Sequence, residues 1–229
     1  MATERTAAES KADNIAAMGQ ALGERYSALW QELVWLYRIW GEYVDLYGTK
    51  ASRVELLNRA AGSFFRVVQD ALWEQTLLHI ARLTDPAVSA GKPNLSIQSL
   101  PPVIDDPKAK VTVSQRIDEA LKASNFCRDW RNRRIAHRDL DLALERHPQP
   151  LAPASRAQVH SALDRIADVL NAVSQNYLDS ETHFERSLDP GGGASLLYLL
   201  DNALELRAER DARLKRGEYR PEDFKRKEL

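Results

Sequence analysis

Apolar residues recur along this chain at helical spacing, and no convincing run of alternating apolar and polar positions interrupts them. Between about Lys11 and Tyr47, the positions Tyr26, Trp30, Leu33, Tyr37, Trp40, Val44 and Tyr47 fall three or four apart. That spacing lays one stripe along a long aromatic helix, and Val34, Leu36 and Ile39 widen it, so more than one neighbour should cover the helix. Ser52, with Glu55 three residues on, reads as the cap of a second helix. This helix carries Leu57, Ala61, Phe64, Val68 and Leu72 and runs to Leu83, where Pro86 ends it by disfavouring the helical conformation at Asp85. His79 sits within it as a core-edge histidine. Residues 86–107 are the longest break, with Leu95, Ile97 and Leu100 placed to anchor a short helical turn; a loop of this length suits a lid, a binding element or an interface.

Helical spacing resumes near Lys108 and runs through Val113, Ile117, Leu121 and Phe126 into a basic stretch ending before Pro148. Ser155 and Gln158 form a capping box for a helix whose face is Val159, Leu163, Ile166, Val169 or Leu170, and Val173. Pro190–Gly193 reads as a flexible break. The last helix, from Ser195 to about Arg216, begins apolar and becomes a mixed-charge run with internal ion pairs. The pattern predicts an all-α chain with a long N-terminal aromatic helix and a C-terminal charged helix. The division is a disordered segment over 1–10, a helical domain over 11–188, and a glycine hinge with a charged helix or tail over 189–229.

Composition narrows the function. The 229 residues carry a net charge of −1, so the surface as a whole does not attract nucleic acid and any anion site has to be local. One cysteine, Cys127, excludes an intrachain disulfide and a multi-thiolate zinc site. The first ten residues have no apolar run of the kind a signal peptide needs, and no segment is apolar enough for a membrane span. A soluble, cytoplasmic chain with no membrane role is expected.

Against that neutral background stands Trp130–Leu140, W-R-N-R-R-I-A-H-R-D-L, with four arginines and a histidine in eleven residues. Trp130, Ile135 and Leu140 read as its anchors to a core. Guanidinium groups grip phosphate oxygens and an imidazole moves protons near neutral pH, so the stretch suits phosphate chemistry; a solvated helix face is the plain alternative. His137-Arg138-Asp139-Leu140 imitates a kinase catalytic loop, but no glycine-rich phosphate loop, downstream Asn or D-F-G accompanies it. The glycines at 191–193 follow no strand, so they form no nucleotide-binding loop. No His/Asp/Glu cluster shows metal-ligand spacing, and neither a metal nor a cofactor is expected.

Arg131-Asn132 followed by His137 resembles the Arg-x(4–6)-His motif of the HEPN superfamily, in which a polar residue follows the arginine. The segments Ala81–Pro86 and Gly91–Ile97 with Leu100, together with R-N-R-R-I-A-H-R-D, resemble the AbiU-like abortive-infection branch in the same chain order, over about Phe64–Leu188. The resemblance implies an up-and-down helical bundle, a HEPN-like domain that forms a homodimer with two Arg–His motifs facing one cleft. In active members that cleft is a metal-independent endoribonuclease of a defence or toxin system, sometimes paired with a cognate antitoxin. It implies Arg131, His137 and Asn132 as catalytic residues, with Arg133, Arg134 and Arg138 as candidate contacts to RNA phosphates and Asp139 either orienting His137, capping a helix or pairing with an arginine. The alternative is a non-catalytic HEPN module that binds RNA, nucleotide or a partner protein through the same cleft. A six-residue step on an ideal helix rotates by about 240°, so Arg131 and His137 would not share a face, whereas Arg133 and Arg134 would lie on that of His137. The helix distorts or ends there, or the two side chains meet only through a dimer.

Overall fold

The structure, a computed structural model, describes residues 5–146, 149–185 and 191–224. It is all-α. Among the described residues, seven α-helices span Ala7–Met18 (α1), Gln20–Tyr43 (α2), Ala51–Leu83 (α3), Pro107–Trp130 (α4), Leu140–Ala143 (α5), Arg156–Leu178 (α6) and Gly193–Lys215 (α7). Among the described residues the only β structure is a two-residue antiparallel ladder, Val88–Ser89 with Lys92–Pro93, turned through Ala90 and Gly91 at positive φ.

The helices sort into two compact units. The first holds residues 1–41 and 70–187, and the second holds 42–69 and 188–229. Residues 42–69, expected to lie in the 11–188 helical domain, fall in the same unit as the C-terminal helix.

In the first unit, α4 and α6 pack along one another. The α6 face expected from the sequence is the one buried: Val159, Leu163, Ile166, Val169, Leu170 and Val173 are all at most 1% exposed, and the Ser155–Gln158 capping box is formed. On α2, Tyr26, Leu33, Leu36, Tyr37, Ile39 and Trp40 are buried. Val34, expected to widen that face, is exposed instead, beside an exposed Trp35. Residues 7–10, expected to be disordered, begin α1, because Thr6 and Glu9 satisfy each other's backbone N–H groups in a capping box. Within the 86–107 loop, Ile97 and Leu100 are fully buried at two successive 3-10 turns, whereas Leu95 remains exposed. That loop is therefore pinned to the core by two apolar side chains, and the Arg25 guanidinium adds a 2.7 Å hydrogen bond to the Ser99 carbonyl.

In the second unit, α2 gives way to a π-helical turn, Val44–Gly48, and α3 begins at Ala51, so Ser52 lies inside its first turn rather than at its cap. The α3 path kinks at Ala61, next to Gly62 and Ser63, where small side chains do little to hold the helical ladder. Gly192 and Gly193, expected to form part of a loose hinge, close the start of α7. Gly192 is its N-cap, and the Gly193 N–H donates to the Glu42 carboxylate at 2.5 Å, an anion placed at a helix N-terminus. Pro190, the first residue of that expected break, lies outside the described residues. At the far end of α7, Arg213 grips both oxygens of Asp223 at 2.6 and 2.7 Å, which holds the Asp223 carboxyl down at about 2.

Candidate functional site

The basic stretch starts where α4 stops being α-helical. Residues Arg131–Ile135 form a π-helical turn, marked by the Ala136 N–H bonding the Arg131 carbonyl five residues back at 2.8 Å. The Asp139 N–H then reaches the Arg133 carbonyl at 3.0 Å, and the chain bends away. Asp139 caps the short α5 by accepting the Leu142 N–H at 3.0 Å. The motif therefore occupies a helix end and the turn after it, and is not the middle of a helix. Trp130 is half-buried and donates its indole N–H to the Ala152 carbonyl at 2.9 Å. Leu140, expected as an anchor, is 66% exposed, because the bend turns it out of the α4 register.

Arg131 is half-buried and held from two sides. Its Nη1 donates to both Asp85 oxygens at 2.5 and 2.6 Å, and its Nε donates to the Asn132 carboxamide oxygen at 3.0 Å. Nη2 has no partner among the described residues. Asp85 follows the end of α3, so the two segments that carried the resemblance meet here. Arg128, one turn before Arg131, adds a second tie by donating to the Thr84 carbonyl at 3.0 Å, and Gln98 of the long loop donates to the same oxygen at 2.9 Å. Helix ends leave carbonyls without intrahelical partners, and these two side chains satisfy one of them.

The other arginines divide. Arg133 pairs with Asp129 at 3.5 Å and Asp139 at 3.6 Å and donates to the Gln149 and Pro150 carbonyls, so it staples the turn to the connector. Arg134 pairs with Glu74 at 3.5 Å and lies over the Trp130 ring, 5.7 Å from its centroid. Arg138 and His137 are exposed and make no hydrogen bond or ion pair among the described residues. Asp139 does not touch His137: the Leu142 N–H and then the Arg133 guanidinium engage its carboxyl, and together they hold it below the ordinary carboxylate range. No hydrogen bond or ion pair joins His137 to Arg131 or Asn132 in this chain. Asn132 also lines a surface groove of about 510 Å³ with Lys122, Asn125, Arg128 and Gln158.

Asp85, Arg128 and Glu74 were absent from the residues expected at the site. Asp85 stands in Ala81–Pro86, which reads as a helix stop and as part of the resembling segment, but neither reading gives its carboxylate a role. Elsewhere, His160, Asp164 and Glu185 bring their ligand atoms within 4.8 Å of one another, a cluster that only the fold can show, since Glu185 comes from beyond the end of α6. Cys127 is fully buried, and burial pushes its thiol far above the ordinary range, so it serves as a small core residue.

An all-α chain whose Arg-Asn and His bracket a broken helix end has the build of a HEPN domain. The family model HEPN_AbiU2, described as AbiU2, matches residues 19–223, and the chain belongs to that family. No curated protein and no solved structure matches it. No helix among the described residues is long and apolar enough to cross a membrane.

Proposed function

We propose that this chain is a defence module of the abortive-infection type and acts as a metal-independent endoribonuclease whose cleft is built by a homodimer. The observation that carries the reading is the division of labour at the α4 end. Among the described residues His137 is exposed and unengaged, while Arg131 is fixed with one guanidinium nitrogen, Nη2, left open. A proton carrier needs freedom to reach its substrate, and a charge stabiliser needs a fixed aim. In this mechanism an RNA 2′-hydroxyl attacks the adjacent phosphate and His137 accepts its proton. Arg131 balances the charge growing on the phosphorane oxygens. The bond to the 5′ oxygen breaks, that oxygen takes up a proton, and the products are a 2′,3′-cyclic phosphate and a 5′-hydroxyl. Asn132 steadies Arg131 through the Nε contact, and Arg138, unpaired, is the arginine best placed to meet a flanking phosphate. Exposed Val34 and Trp35 on α2 offer apolar surface for a second copy.

One observation favours a second reading, a non-catalytic module that binds RNA, nucleotide or a partner protein: Asp85 already neutralises Arg131. The two readings separate when purified protein is incubated with a mixed RNA pool in EDTA, beside Arg131→Ala and His137→Ala. Cleavage by the unmodified chain alone, leaving cyclic phosphate ends, is the expected result. Absent cleavage, or equal cleavage by both variants, removes the nuclease and leaves the binding module.

A further inference from the structure

We infer that Asp85 is a positioning residue of this site, and that it acts through Arg131; the inference rests on the nuclease reading above. A free arginine side chain populates many rotamers, and a guanidinium that wanders stabilises no particular oxygen. Here the carboxylate takes Nη1 with both of its oxygens, the Asn132 carboxamide takes Nε, and Nη2 is the nitrogen left for a phosphate oxygen. The Asp85 side chain is 18% exposed and that of Arg131 25%, so solvent screens the pair only partly.

The backbone around the carboxylate is equally fixed. Thr84 is buried, its hydroxyl donates to the Ile80 carbonyl at 2.8 Å, and its own carbonyl accepts from both Arg128 and Gln98. Pro86 has its own φ locked by its ring and restricts the backbone of Asp85 before it. Asp85 is thus set on a rigid corner that three segments share: the α3 end, the long loop and the α4 end. A carboxylate serving only as a surface counter-ion would not need that support. The pairing also restricts the arginine to offering one nitrogen rather than a two-pronged fork, which suits a single non-bridging oxygen that gains charge in the transition state.

The test is the steady-state kinetics of RNA cleavage by Asp85→Asn and Asp85→Glu, with thermal unfolding of each. Asn keeps an acceptor oxygen but loses the charge that fixes the guanidinium. For Asp85→Asn, kcat is expected to fall on the order of 10²-fold with KM within about twofold and Tm nearly unchanged. Asp85→Glu, which restores the carboxylate, should recover part of the loss. An unchanged or raised kcat in Asp85→Asn overturns the inference, as does a loss that tracks Tm and disappears when rates are taken per folded molecule. A second readout needs no activity: the Arg131 Nε–H signal in a ¹⁵N spectrum, assigned by its loss in Arg131→Lys. Slow exchange of that proton in the unmodified chain, lost in Asp85→Asn, supports positioning, and rapid exchange in both overturns it. If the unmodified chain cuts no RNA, the nuclease reading falls, and this second readout alone decides whether Asp85 positions Arg131.

Discussion

At the scale of single residues, His79 shows how burial sets a charge state. It is 2% exposed, its Nε2 lies 2.7 Å from a Glu32 oxygen, and its Nδ1 is buried without a partner. The neutral tautomer donates from Nε2 and leaves only a lone pair unmet. Protonation adds a second N–H with nowhere to donate and a charge out of water. Burial therefore lowers the His79 pKa, with Arg82 adding to it, and this outweighs the opposing pull of Glu32. The unfolded chain then binds more protons than the folded one in the window just below the ordinary histidine value of about 6.5. Stability should be full above that value and decline as pH falls through it, by at most roughly 1.4 kcal/mol per pH unit. His79→Gln keeps a donor for Glu32 and removes the titration, so urea unfolding at pH 7.5 and pH 5 should show a smaller difference than in the unmodified chain. An equal difference would assign the pH dependence elsewhere. The same scale shows what the sequence made legible at the candidate site. Arg131, Asn132 and His137 stood out by type and spacing, and the cap role of Asp139 was among the alternatives. Arg133 pairs within its own segment, with Asp129 and Asp139, but its bonds to the 149–150 carbonyls and the pairing of Arg134 with Glu74 were not legible, because those partners lie in other segments. A guanidinium looks equally available in a sequence whether or not a carboxylate waits across the fold.

Among the elements, α1 shows how a close approach hides in a glycine. At Gly23 of α2, a Cβ would stand 2.6 Å from the Ile15 Cα and 2.7 Å from the Ile15 nitrogen, both backbone atoms of α1. Neither can move without moving the helix. The contact is secured by the Asn14 carboxamide donating to the Ser27 hydroxyl at 3.0 Å, which in turn donates to the Gly23 carbonyl at 2.7 Å. Gly23→Ala improves helix propensity in α2 yet forces the two helices apart, and overpacking of this kind costs about 1–3 kcal/mol. The expected outcome is a lower Tm with faster amide exchange confined to Ala7–Met18; unchanged exchange there would mean that α1 does not depend on the approach. The family match begins at residue 19, so α1 lies outside it. Helices with a broad apolar stripe, α2 and α6, were legible from periodicity. α1 was legible only in part: residues 11–18 read as the start of one helix running to Tyr47, and the start at Ala7 and the break at Gly19 were missed, since the small and polar residues there draw no stripe, although Thr6 and Glu9 stand at capping-box spacing. The end of α4 was also out of reach of periodicity, because a π turn replaces α-helix there without any Pro or Gly to announce it.

For the whole molecule, the question is whether one chain can hold a complete site. Along an ideal helix Arg131 and His137 would point about 120° apart, and the π turn with the bend after it makes no bond between them. Arg131 is tied toward the α3 end by Asp85, while His137 stands free on the far side of the turn. On the proposed reading, a near-neutral chain also gains no general attraction for RNA, so affinity would have to come from a few arginines gathered locally. The proposed two-fold pairing would answer both needs at once. An isologous interface near the axis would set Arg131 of one protomer against His137 of its partner and double the local positive charge. This arrangement has a consequence that a one-chain site lacks. Arg131→Ala and His137→Ala should each be inactive alone, yet a mixed dimer retains one intact arginine and one intact histidine on opposite chains. Random exchange makes half of the dimers mixed, each with one of two cross-chain pairs, so mixing should restore about a quarter of the original activity. Chains carrying different tags, co-purified through both and assayed for cleavage, supply the measurement. Recovery that grows with the fraction of mixed dimers places the two side chains across the interface. Verified mixed dimers that stay inactive would return the pair to a single chain, and the turn at 131–135 would then have to close on binding RNA.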